Sequence, residues 1–84
     1  MKLWLIEPNV GLPNNDNPWD PWYDKAFGFV VRAETEQEAR AFAHSEGGDE
    51  NRNHSPWLDP KYSTATELAT HGEAGIVMCT YASA

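Results

Sequence analysis

Three histidines, one cysteine and a dense set of carboxylates are the groups with which this 84-residue chain could do chemistry. A zinc site needs its nitrogen and sulfur ligands in close pairs such as CxxC or HxxxH. His44, His54, His71 and Cys79 stand far apart and form no such pair, so no metal is expected. His44, near the end of a predicted helix, is better explained by the helix dipole. Nucleophilic catalysis would need Cys79 or a serine beside a histidine. Cys79 falls in an apolar run, where an inert buried thiol is the usual outcome. Gly72 and Gly75 make no GxGxxG loop, and Gly47-Gly48 follows a helical pattern instead of opening one. Neighbouring carboxylates, Asp20 with Asp24 and Asp49 with Glu50, lie in loop-like sequence without the enclosure that raises a pKa for acid catalysis. Asn14-Asn15-Asp16-Asn17-Pro18-Trp19-Asp20 has the composition of a calcium loop but lacks its turn glycine and terminal glutamate. The expectation is a protein that is not an enzyme and uses no cofactor.

Binding is the chemistry that remains. Thirteen acidic residues against six basic ones give a net charge of −7. That balance disfavours direct nucleic-acid contact, which needs cations to displace phosphate counterions, and an anionic membrane surface for the same reason. The carboxylates Glu34, Glu36, Glu38, Glu46, Asp49 and Glu50 crowd one stretch that contains a single arginine, Arg40. Such a run is a solvated helix face or a negative patch that docks on a basic partner and steers the encounter. A second set of residues is aromatic: Trp19, Trp22, Tyr23, Trp57 and Tyr62 sit in loops rich in Pro and Asp. At least two of the tryptophans should be core, and one left exposed would be an interface anchor. Asp20, Trp22 and Asp59 form the second expected partner-binding patch.

Positioning these groups falls to one α+β domain spanning residues 1–84, with 40% hydrophobic content. Strands are predicted near 2–6, 26–32 and 75–82, forming a three-stranded, mainly antiparallel sheet. In the second strand Phe27, Phe29 and Val31 share one face. Thr35-Glu36-Gln37-Glu38 is a capping box that opens a main helix over 36–46, with Ala39, Phe42 and Ala43 inward and Gly47 as its stop. Glu36 and Arg40 are spaced to pair along it. Residues 47–55 read as a polar connection. Thr64-Ala65-Thr66-Glu67 is a weaker capping box for a short second helix over 65–70. The long segment 8–25 is an aromatic and proline-rich loop. Its Pro18-Trp19-Asp20-Pro21-Trp22-Tyr23 echoes Pro56-Trp57-Leu58-Asp59-Pro60-Lys61-Tyr62, and the two similar loops are expected to pack together beside the sheet. Apolar runs fall far short of the roughly 20 residues of a membrane span. Glu7-Pro8-Asn9 interrupts the first before a signal-peptide core can form. With a single cysteine and no intrachain disulfide, the expected location is the cytoplasm.

Three stretches carry a family resemblance: the opening Met1-Lys2-Leu3-Trp4-Leu5-Ile6, the run from Phe29 through Val31, Ala33, Thr35 and Glu38 to Arg40, and the closing hydrophobic segment. Together they resemble small acidic proteins of bacteriophages and mobile elements, in which a strand passes through V-x-A-x-(T/S)-x-x-E-A-R into a helix. Some of those proteins are anti-CRISPR inhibitors that bind nucleoprotein effectors. The resemblance implies a binder, and no catalytic residue carries over. The resulting expectation is a protein–protein interaction module that presents carboxylates to a basic groove, its partner a protein or nucleoprotein complex. The alternative is a small-ligand or metal-binding accessory domain built on the aromatic loops and histidines. A homodimer burying the second face of the sheet is a third reading.

Overall fold

A computed structural model of the chain describes residues 1–19, 22 and 24–79. Among these residues three antiparallel strands form one sheet: β1 (Lys2–Pro8), β2 (Phe29–Ala33) and β3 (Ser63–Leu68), in the order β2-β1-β3. Helix α1 (Glu36–Ser45) follows β2 and packs on β2 and β1. Among the described residues no helix is long and apolar enough to cross a membrane.

Alternation along the strands decides what enters the core. Trp4 and Ile6 of β1 lie opposite Val31 and Phe29 of β2, and Ile6 lies opposite Ala65 of β3. These side chains, with Ala33, face Ala39 and Ala43 of the helix and the rings of Trp19, Trp57 and Tyr62. Trp57 is fully buried and meets Trp19 and Phe29 edge-on at centroid distances of 4.7 and 4.9 Å. Each described indole N–H finds an acceptor: Trp4 on Ala33 O, Trp19 on Tyr62 O, Trp22 on Pro18 O and Trp57 on Glu50 Oε2. The two similar loops do pack together. Besides the Trp19–Trp57 contact, the Tyr62 hydroxyl donates to Asp16 Oδ1 at 2.5 Å. The long loop also contains a 3-10 turn at Asn14–Asp16.

The α+β class and the antiparallel three-stranded sheet are as expected, but the third strand is a different segment. Residues 75–79 form no strand, and residues 80–82 of that predicted strand lie outside the described residues. The strand is instead Ser63–Leu68, where a short helix over 65–70 was expected. A helix of a turn and a half makes too few hydrogen bonds to offset its nucleation. Thr64 and Thr66 are β-branched, and the edge of β1 offers this segment a ladder from Pro8↔Ser63 to Leu3↔Leu68. β1 also runs two residues beyond the predicted 2–6. Pro8 is tolerated because β2 pairs only as far as Ile6, leaving β1 an edge on that side. β2 itself begins at Phe29, so residues 26–28 lie outside the ladder and Phe27 is 69% exposed.

Helix α1 starts where expected. The Thr35 hydroxyl accepts from Glu38 N at 3.2 Å, a cap worth about 1 kcal/mol. Its inward stripe is Ala39, Arg40 and Ala43, not Ala39, Phe42 and Ala43. Phe42 is 53% exposed, since the helix is rotated to bring Arg40 under the loop at Trp57 and Ser63.

Candidate interaction surface

The acidic stretch divides into an outer set and an inner set. Glu34, Glu36, Glu38 and Glu46 are exposed. Glu38 and Glu46 lie one turn to either side of Phe42, so positions i, i+4 and i+8 form a stripe about 12 Å long. It places an exposed aromatic ring between two carboxylates, with Glu34 just before the helix. Glu36 is engaged within the chain, where its Oε2 accepts from Arg40 Nε at 2.9 Å. Arg40, spaced to pair with Glu36 as expected, is 5% exposed and also donates to Trp57 O, Ser63 Oγ and Ser63 O.

Glu50 is a correction. It was expected on the surface patch but is 1% exposed. Its Oε2 accepts from Trp57 Nε1 at 2.7 Å and from Gly48 N at 2.8 Å, and its Oε1 from Ala26 N at 3.2 Å. The reason is charge compensation: three convergent N–H donors stabilise a carboxylate that water no longer reaches. Gly47 and Gly48 make room for this. A Cβ at Gly48 would overlap the Asp24 carbonyl, and one at Gly47 would press on Asn51 Nδ2 and Glu50 Oε2. Residues 47–51 are thus part of the packed body and not only a polar connection. Asp49 is half-buried, donates its N–H to Asp24 O at 2.5 Å and holds Arg52 at 3.5 Å.

The second expected patch is not brought together among the described residues. Asp20 lies outside them. Trp22 is half-buried, with the Arg52 guanidinium 5.7 Å from its ring centre. Asp59 is exposed but serves as a turn residue, its Oδ1 accepting from Lys61 N. Cys79, expected as a buried thiol, is exposed because its segment does not join the sheet. Among the described residues no three His, Cys, Asp or Glu side chains cluster to hold a metal ion.

No protein-family model, curated protein or solved structure matches this chain. What bears on function is therefore the arrangement of its own side chains.

Two features escaped sequence reasoning. One is a half-open cleft of about 330 Å³ where residues 25–27 diverge from the end of β1, walled by Pro8, Val10, Leu12, Trp19 and Phe27 with Lys25 beside them. No periodic signal marks it, because two non-repetitive segments form it. The other is a group of ionisable side chains around Asp16. Lys61 Nζ lies 2.6 Å from Asp16 Oδ2, and Tyr62 donates to the other oxygen. The hydrogen bonds from Lys61 and then Tyr62 hold the Asp16 carboxyl below its ordinary value. A carboxyl lowered in the folded state adds stability at pH above its unfolded value, and that stability is lost as pH falls through the folded value. The gap in melting temperature between the wild type and Asp16→Asn should therefore close below about pH 4. A gap that stays constant from neutral to strongly acidic pH would contradict this role for Asp16.

Proposed function

We propose that this chain is a non-enzymatic protein–protein interaction module of the cytoplasm, docking the outer face of α1 on a basic partner surface. The observation that carries this reading is the stripe Glu38–Phe42–Glu46. Exposed apolar rings are the usual anchors of interfaces, and carboxylates around one select a pocket rimmed by Lys and Arg. A half-exposed Phe on a helix whose opposite face is already buried has no evident packing purpose. The resemblance to phage-type inhibitors supports a nucleic-acid-handling defence complex as the partner class, since such complexes present basic grooves. The chain's own acidity again disfavours direct nucleic-acid binding.

The test is affinity purification from lysate of cells that express the protein, followed by titration of the recovered partner. Glu38→Lys with Glu46→Lys should weaken binding more than tenfold and flatten its salt dependence. Phe42→Ala should weaken it comparably without altering the salt slope. Glu36 is left unchanged because it holds Arg40. Glu73→Lys, a reversal at an exposed position outside α1, serves as control and should change little. Equal losses in the control and the double reversal would reduce the effect to net charge and remove the docking face.

The cleft beside Trp19 and Phe27 supports a second reading, a module that binds a small apolar ligand. Binding there should be insensitive to salt and should change Trp19 fluorescence.

A further inference from the structure

We propose that residues 75–79 add as a strand to the outer edge of β3 in a second copy of this chain, reciprocally, to form a two-fold dimer. Ile76 and Val77 are 85% and 74% exposed, and Met78 follows at 43%. Consecutive exposed apolar residues of this kind are strand-forming, and their alternation supplies apolar groups to both faces of a sheet.

The acceptor is specified by what each edge carries. Among the described residues β3 is the last strand on its side of the sheet, and its sequence Ser63-Thr64-Ala65-Thr66-Glu67-Leu68 has no proline and no lysine to block pairing. Its one charge, Glu67, is matched by Lys2 at 3.7 Å. β2, at the other edge, carries Arg32 and leads at once into Glu34 and the helix. In a chain of net charge −7, residues 75–79 carry no charge and the one carboxylate of β3 is matched by a lysine, so two copies can meet there with little repulsion. The added strand would continue both faces of the sheet. One side extends the row that contains Ala65, and the other extends the row of Leu5, Thr66 and Leu68.

A second copy is favoured over the chain's own edge. Residues 69–74 would allow a direct return along β3, yet Ile76 and Val77 remain in water in the single chain. Reaching the partner's β3 means crossing one intervening strand, about 10 Å. Six extended residues span roughly 20 Å, enough for the exchange.

The experiment is sedimentation equilibrium of the full chain from micromolar to millimolar concentration, with amide hydrogen exchange at each end of that range. The wild type should form a dimer, and β3 amides should gain protection as concentration rises. Ile76→Lys with Val77→Lys should raise the dimer dissociation constant at least a hundredfold. At the dilute end of the range, where the wild type is monomeric, the far-UV spectra of the two should coincide, because both positions are exposed in the single chain. A wild type that stays monomeric at millimolar concentration overturns the proposal. So does a dimer that survives the double substitution. Protection of β3 independent of concentration would place the segment on its own chain's edge and overturn it equally.

Discussion

Glu50→Gln is expected to lower the free energy of unfolding by about 3 kcal/mol, far out of proportion to the loss of one charge among thirteen acidic residues. The carboxylate accepts from the Trp57 indole and from the backbone N–H groups of Gly48 and Ala26. Hydrogen bonds to a charged acceptor contribute roughly 1.5–3 kcal/mol each, and a buried donor left without its acceptor costs about 1–3 kcal/mol. Glutamine keeps the shape and one oxygen, but its NH2 group must face either the Ala26 N–H or the N–H groups of Gly48 and Trp57, which need an acceptor. These three donors come from the loop before β2, the turn after α1 and the centre of the core. A donor left without its acceptor loosens the segment that carries it. At roughly 0.05–0.15 kcal/mol per residue, a domain of this size has about 4–12 kcal/mol in total, so the loss is severe. Glu46→Gln, on the exposed stripe, should stay within about 0.5 kcal/mol. Urea denaturation of both variants checks the contrast, and equal midpoints would mean that the Glu50 cage contributes nothing.

Arg40→Lys is expected to cost about 2 kcal/mol, although the charge is kept. The guanidinium uses Nε on Glu36, Nη1 on Trp57 O and Ser63 Oγ, and Nη2 on Ser63 O. A lysine ammonium carries its three N–H groups on one nitrogen and cannot bridge positions set for a planar fork. Ser63 is fully buried, and its hydroxyl in turn donates to Pro56 O at 2.7 Å. Loss of the fork therefore disturbs both the start of β3 and the loop that carries Trp57. Arg40→Ala should cost about 3 kcal/mol, since it also leaves buried carbonyls without a donor. Because Arg40 and Ser63 belong to one network, Arg40→Ala and Ser63→Ala should be non-additive by at least about 0.5 kcal/mol. Additive losses, or a lysine variant as stable as the wild type, would show that the fork is not what joins helix to strand.

These two residues also bear on the proposed docking face. With Arg40 drawn inward and Glu36 held beside it, the exposed surface of α1 is left to Glu38, Phe42 and Glu46 without a cation among them. The helix thus separates its charges by depth: the ion pair that fastens it lies inward, and the carboxylates available to a partner lie outward.

The sequence by itself determined what depends on near neighbours along the chain. The alternation in Lys2 to Ile6 and Phe29 to Val31 marks two strands, because side chains on a strand repeat every second residue. Thr35 and Glu38 mark the start of the helix, because the cap is closed within one turn. The net charge and the spacing of the histidines are likewise local facts. Only the tertiary structure decided the rest. Thr64-Ala65-Thr66-Glu67 satisfies both a capping box and an alternating strand, and the free edge of β1, far away along the chain, resolved it in favour of the strand. The apolar segment from Gly75 has the stronger strand composition, yet β3 already occupies the edge it would have taken beside β1. Glu50 and Glu46 are indistinguishable by type and neighbourhood. Their fates diverge because donors from Ala26, Gly48 and Trp57 converge on one of them. Burial of a charge depends on partners brought from elsewhere in the chain, and no periodicity encodes where those partners will arrive.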